Sequence, residues 1–148
     1  MDEPILSWYI KNINDDYEQT DTVYAGSYTQ QSPLIVDFRI WNNRYGKKDV
    51  TTIKNLKLNI YFSDYEDSAI LQYITVNTNN SQANMTISNN IATASFLDNL
   101  TLDGKANDGT DKNNPENYAD LELKIDVPND VSLKMHDLKN LMVEVVNE

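Results

Sequence analysis

From residue 34 onward most apolar residues of this chain recur at every second position, and that spacing restricts the possible folds more than any other feature. In residues 34–41, Leu34, Val36, Phe38 and Ile40 share one side while Ile35, Asp37, Arg39 and Trp41 share the other. Successive side chains of an extended backbone point to opposite faces, so this is the pattern of a half-buried strand. Residues 53–62 repeat it through Leu56, Leu58, Ile60 and Phe62, with Lys57, Asn59 and Tyr61 outward. The two strands are expected to be neighbours in one sheet, joined by a turn over 42–48 in which Asn42, Asn43 and Gly46 supply positive φ. The cleanest alternation is at 118–127: Leu121, Leu123, Ile125 and Val127 on one face, Asp120, Glu122, Lys124 and Asp126 on the other. Pro128 ends that strand, since proline cannot donate to a ladder.

Weaker signals fill the intervals. Residues 69–77 present Ile70, Ile74 and Val76 inward, and Met85 and Ile87 lead into a reversal at Ser88-Asn89-Asn90 from which 91–97 returns, extended by Leu100 and Leu102. Asparagine marks that reversal because it tolerates left-handed backbone angles. Val131, Leu133 and Met135 alternate again, and 141–146 reads as a last strand lying centrally. Short helical turns fit at 65–69 and 135–140. Turn residues recur about every 8–12 positions, and β-branched and aromatic residues hold the apolar positions, so a helical bundle does not fit. The expectation is an all-β fold, an antiparallel sandwich of about seven to nine strands. Residues 5–10 form an edge strand, 12–31 are polar and patternless, and the division is therefore an edge strand with an irregular arm at 1–32 and a sandwich domain at 33–148.

A chain of 148 residues suits one domain, which at that size buries roughly 68–70% of its unfolded surface and needs no staple. Cysteine is absent, as befits a reducing compartment. The chain opens on Met1-Asp2-Glu3-Pro4, without a basic segment followed by an apolar run, and no stretch has the length of a membrane span. Synthesis in the cytoplasm without a signal peptide is expected, with no membrane partner. The 23 acidic against 12 basic residues give a net charge of −11, a surface that repels phosphate backbones and argues against nucleic acid as a partner. The abundance of Asn, Asp, Ile, Lys and Tyr matches AT-rich coding.

Catalytic constellations are scarce by arithmetic. His136 is the single histidine and there is no cysteine, so a Cys/His pair is impossible, a zinc site of the usual kinds is excluded, and His136 reads as a surface residue. A pair of carboxylates converging in a cleft is the remaining enzymatic option. The expectation is a protein that is not an enzyme and holds no cofactor. Calcium is the metal weighed: Asp103, Asn107, Asp108, Asp111, Asn113 and Glu116 in the loop 103–117, and Asp64, Glu66 and Asp67, offer hard oxygen ligands, but without EF-hand spacing. The plainer expectation for 103–117 is a solvated surface loop. Asn79, Asn84 and Asn99 begin glycosylation triplets, taken as chance matches.

Aromatic residues make the candidate interaction site. Trp41 and Tyr45 bracket the turn after the first strand, Tyr61 and Tyr73 take outward strand positions, and Tyr65 caps the acidic segment. Exposed tryptophan and tyrosine serve protein interfaces and sugar-stacking platforms alike. A protein interface is preferred, because nothing in the pattern indicates a groove.

Val36-Asp37-Phe38-Arg39-Ile40-Trp41-Asn42-Asn43 and Asn55-Leu56-Lys57-Leu58-Asn59-Ile60-Tyr61-Phe62 resemble the second and third strands of bacterial and phage immunoglobulin-like modules. Residues 118–127 and 141–146 look like the later strands of the same fold, so the resemblance covers most of 33–146, without the cysteine pair of antibody domains. It implies an immunoglobulin-like sandwich acting as a scaffold for binding or assembly, with no catalytic residues to carry over. Fold and compartment together lead to the expectation of a structural component of a tailed-bacteriophage virion: a decoration, head–tail, tail or baseplate protein. Such a protein leaves the cell by lysis and docks to other subunits of the particle, including copies of itself. A carbohydrate- or ligand-binding sandwich module is the alternative.

Overall fold

The computed structural model describes residues 2–12, 14–20, 27–28, 34–62, 68–78, 81–96, 100–126, 136–137 and 141–146. Among these the chain forms strands β1 (Leu6–Lys11), β2 (Tyr17–Gln19), β3 (Ser27–Tyr28), β4 (Leu34–Asn42), β5 (Lys57–Phe62), β6 (Ile74–Asn77), β7 (Asn84–Ser88), β8 (Ile91–Ser95), β9 (Tyr118–Ile125), β10 (His136–Asp137) and β11 (Leu141–Val145). A five-stranded sheet has the order β2-β1-β4-β9-β6, a four-stranded sheet the order β11-β5-β8-β7, and β10 pairs with β3 in a short ribbon. Every pairing between these strands is antiparallel. The architecture is an all-β sandwich.

Period two decides what lies between the sheets. Phe38 and Ile40 of β4, Leu121, Leu123 and Ile125 of β9, and Ile74 and Val76 of β6 meet Leu58, Ile60 and Phe62 of β5 and Ala92 and Ala94 of β8 in one buried cluster. Trp8 of β1 stacks on Phe38 with centroids 6.0 Å apart. Each large side chain removed from water here is worth about 1.5–3 kcal/mol, and alternation places all of them on the same side of their strands. Alanines 92 and 94 leave room for Leu58 and Ile60, to which they are paired in register.

Several expectations are corrected. β4 and β5 are not sheet neighbours: they lie in opposite sheets and face each other across the core. A tight hairpin uses about two to five linking residues, and the 43–56 connection is long enough to cross from one layer to the other. β11 is the edge of its sheet rather than a central strand. β1 is interior, bonded to both β2 and β4, so sheet pairing crosses the boundary drawn at 32/33. Asn12, Asn14, Asp15 and Asp16 belong to the turn between β1 and β2, where the Asn12 Oδ1 accepts the amides of Asn14 at 2.9 Å and Asp16 at 3.1 Å. Of the helical turn expected at 65–69, residues 65–67 lie outside the described residues and 68–69 begin a 3₁₀ helix at Ser68–Tyr73, so β6 begins only at Ile74. The hairpin of β7 and β8 is as expected, with Asn89 and Asn90 at φ 54° and 64°. Leu97, Val127, Pro128, Val131, Leu133, Met135, Asn79 and Asn99 lie outside the described residues.

Candidate functional site

The outer face of the five-stranded sheet carries an alternating stack of rings and guanidinium groups. Register puts Tyr9 of β1 beside Arg39 of β4, Arg39 beside Asp120 of β9, and Trp41 beside Tyr118. The Arg39 guanidinium lies between two rings, 4.1 Å from the centroid of Tyr17 and 4.2 Å from that of Tyr118. Its Nε and one terminal nitrogen donate to the two carboxylate oxygens of Asp120 at 2.5 and 3.0 Å, and its other terminal nitrogen donates to Asp111 at 2.6 Å. Burial pulls the Arg39 pKa down, but the bonds to Asp120 and Asp111 more than reverse this, and the group ends above its ordinary value. The phenols of Tyr17 and Tyr118 are raised mainly by burial, against the lowering effect of Arg39.

Arg44 continues the stack from the loop after β4. It lies 4.7 Å over Trp41, 4.8 Å over Tyr9 and 5.0 Å over Tyr45, while its Nε donates to the Gly109 carbonyl at 3.0 Å. Each such cation–π contact contributes about 0.5–1 kcal/mol when exposed and about 2 when desolvated. Trp41 packs on Tyr118 with centroids 4.8 Å apart. Its indole N–H is buried with no acceptor among the described residues, an arrangement that costs about 1–3 kcal/mol.

Residues 103–117 hold this face closed. The loop lies at the surface as expected, with Lys105, Asp108 and Thr110 to Asn113 exposed, yet it is fastened, because its asparagines satisfy backbone groups that would otherwise be orphaned. Buried Asn117 donates to the carbonyls of Asp103 at 2.8 Å and Lys105 at 3.0 Å. Asn43 donates to Lys48 and Gly104, Asn42 to Thr51 and Leu102 while accepting from the Ile5 amide. Asn107 ties the two loops: it donates to the Asn43 carbonyl at 2.7 Å and accepts from the amides of Tyr45 at 3.1 Å and Gly109 at 2.9 Å.

That clamp fixes the backbone of Tyr45, which takes the left-handed φ of 62°, a conformation an aromatic residue rarely adopts. Its ring lies against Gly109, where φ is 78° and an added Cβ would overlap the ring. Even so Tyr45 is 63% exposed. Asn43 also takes positive φ, at 60°, whereas Gly46 does not; glycine is needed there because a Cβ would run into the Asn43 side chain.

The five aromatics expected to form a site are not brought together. Trp41, expected outward, is fully buried, because the 103–117 loop and Arg44 cover the outer face at that point. Tyr45 is displayed. Tyr61 is half-buried on β5 and its hydroxyl donates to Glu144 at 3.3 Å. Tyr73 ends the 3₁₀ helix and packs against the core instead of pointing outward from a strand. Tyr65, with Asp64, Glu66 and Asp67, lies outside the described residues. The calcium candidates are separately engaged: Asp103 with the Lys105 amide, Asp108 with Thr110, Asn113 and Asn114, and Asp111 with Arg39. Hydrogen bonds, led by the Thr110 amide, hold the Asp108 carboxyl well below the usual carboxylate range. No group of three acidic or histidine side chains able to hold a metal occurs among the described residues. His136 belongs to the β3–β10 ribbon, opposite Tyr28.

A depression of about 590 Å³ lined by Glu3, Pro4, Lys54, Lys57 and Val146 among others offers one carboxylate, Glu3. No described helix is long and apolar enough to cross a membrane. The sequence does carry an overlooked pointer to the stack: Arg39 and Arg44 are the only arginines against ten lysines, and both sit where a planar cation is stacked between rings, a task an ammonium performs poorly.

No protein-family model matches the chain, and no curated protein matches it. Among solved structures it is similar to endoglucanase CelQ from Clostridium thermocellum, in complexes with cellotetraose and with cellobiose and cellotriose, each at 15% identity and a TM-score of 0.34. The match covers 90% of this chain and 26% of that one, so the chain spans about a quarter of its length, and the likeness is too slight to bear on function.

Proposed function

We propose that this chain is a non-enzymatic assembly module, a structural component of a tailed-bacteriophage particle, that docks to neighbouring subunits through the tip of its Tyr45 loop. The observation that carries the docking reading is Tyr45 itself: a large ring held 63% exposed on a strained backbone that Asn107 and Gly109 clamp in place. A rigid aromatic anchor binds with little ordering entropy, which is how the strongest contacts of protein interfaces work. The sequence resemblance to phage immunoglobulin-like modules supplies the particle setting. A sugar platform is less favoured, since it needs a row of open ring faces, and here Trp41 is buried while Arg39 occupies the facing sides of Tyr17 and Tyr118.

Mass spectrometry of purified particles is expected to find the chain among their proteins. Tyr45→Asn removes the ring yet suits a left-handed backbone, so the variant is expected to fold with an unchanged circular dichroism spectrum and to enter particles at least about tenfold less efficiently. Undiminished incorporation of the variant rejects the Tyr45 docking site. A chain found free in the cytoplasm of uninfected cells rejects the particle reading.

A further inference from the structure

Residues 68–97 contain no Asp, Glu, Lys, Arg or His, a run of 30 in a chain otherwise dense in charge. Within it, β7 forms one edge of the four-stranded sheet. Natural edge strands are shielded from further pairing by charges, prolines, bulges or covering segments, and Asn84-Met85-Thr86-Ile87-Ser88 has neither charge nor proline. Other edges differ. The open side of β6 is engaged by the returning chain, through the Asn77–Gln82 bridge and the Ala83 amide on the Val76 carbonyl at 2.8 Å. β2 carries Glu18 and β11 carries Glu144.

The two-residue turn at Asn89-Asn90 makes Ser88 and Ile91 the first pair of the hairpin. Ladder bonds alternate from there, so Ser88, Thr86 and Asn84 exchange bonds with β8, while the N–H and C=O groups of Met85 and Ile87 point away from it. Met85 and Ile87 lie opposite Ala94 and Ala92, both fully buried, so their side chains stand on the core-facing side. Met85 packs against the core, but Ile87 remains 50% exposed. At this edge the apolar interior runs out into solvent.

We infer that β7 is a self-pairing edge, through which two copies of this chain join antiparallel with Thr86 opposite Thr86 of the second copy. The two-fold about Thr86 sets Met85 against Ile87 and Asn84 against Ser88, apolar on apolar and polar on polar. It also brings the outward backbone groups of Met85 and Ile87 onto those of Ile87 and Met85, closing two bonded pairs. A shift of one residue breaks both matches. Charge favours the same place: each copy carries −11, and two such bodies meet with the least local repulsion where no charge stands on either side. β7 belongs to the other sheet from β4, which the Tyr45 loop follows, and the inference holds whether or not that loop docks.

Sedimentation equilibrium of the full chain up to roughly 100 μM, where micromolar association is nearly complete, is expected to show a dimer. Thr86 is exposed and its side chain faces away from the core, so Thr86→Lys and Thr86→Glu spare the monomer. Each places like charges directly opposite and is expected to weaken the dimer at least about tenfold. An equimolar mixture of the two is expected to restore association as a heterodimer. Independently of any variant, amide exchange at Met85 and Ile87 is expected to slow as protein concentration rises. A monomeric wild type overturns the inference, as does a dimer that both variants leave intact or a mixture that fails to associate. A monomer that binds an added extended peptide at β7 assigns the edge to a foreign strand and overturns it too.

Discussion

A guanidinium between two rings does what an ammonium cannot: it presents flat faces to both while its edge forks onto a carboxylate. Arg39 uses all of these at once, with Tyr17 and Tyr118 on its faces and Asp120 and Asp111 on its edge. Arg39→Lys is therefore expected to destabilise the fold by roughly 1–3 kcal/mol although charge is kept, read as a lower urea midpoint at unchanged slope; a midpoint equal to that of the parent means the stack is ornamental. The stack also explains why Trp41 was unreadable in the sequence. Period two put Ile35, Asp37, Arg39 and Trp41 on a polar-looking face, and period two is correct; what local pattern does not report is that a loop distant in sequence, 103–117, folds over that face and turns Trp41 into core. Tyr45 was legible as an exposed ring, yet its left-handed backbone was not, because the positive φ falls on Asn43 and Tyr45 while the neighbouring Gly46 does without it.

At the scale of elements, strands with a cross-sheet partner on each inward residue were legible, and their addresses were not. β9 alternates buried and half-buried from end to end, as Leu121, Leu123 and Ile125 require, and β4 and β5 read equally well. Alternation, though, assigns a strand to a face and not to a sheet, so the placement of β5 across the core depended on the length of the 43–56 connection. β1 was read as an edge because its own six residues carry little alternation; its interior place comes from β4, whose register pairs five of its residues. The hairpin of β7 and β8 was the most legible element, because its turn rests on local backbone chemistry. Both turn residues have positive φ, so Asn90→Gly is expected to stabilise by up to about 1 kcal/mol and Asn90→Val to destabilise by at least as much. Thermal unfolding of the two variants beside the parent measures this, and a valine that costs nothing contradicts the left-handed turn.

For the whole molecule, the net charge of −11 is a force without a direction, acting against compactness and against every approach of a second copy. Of the ion pairs on the outer face, Arg39 with Asp120 has an arginine side chain 9% and an aspartate 31% exposed, and partly buried pairs are screened much less by salt than exposed ones; Asp111, the second partner, is 52% exposed. The surplus carboxylates stand largely in solvent, where screening acts within about 10 Å at 0.1 M ionic strength. Sodium chloride therefore removes repulsion while leaving the Arg39–Asp120 pair nearly intact. Between about 0.02 and 0.3 M, a range in which the Debye length falls several-fold, the melting temperature is expected to rise and the β7-mediated dimer to tighten. An interface built from opposite charges responds the other way, loosening as salt is added. Sedimentation equilibrium and thermal unfolding over the same salt series separate the two cases: a dimer that dissociates with added salt is held by charge, and its contact is then not the uncharged edge at Thr86.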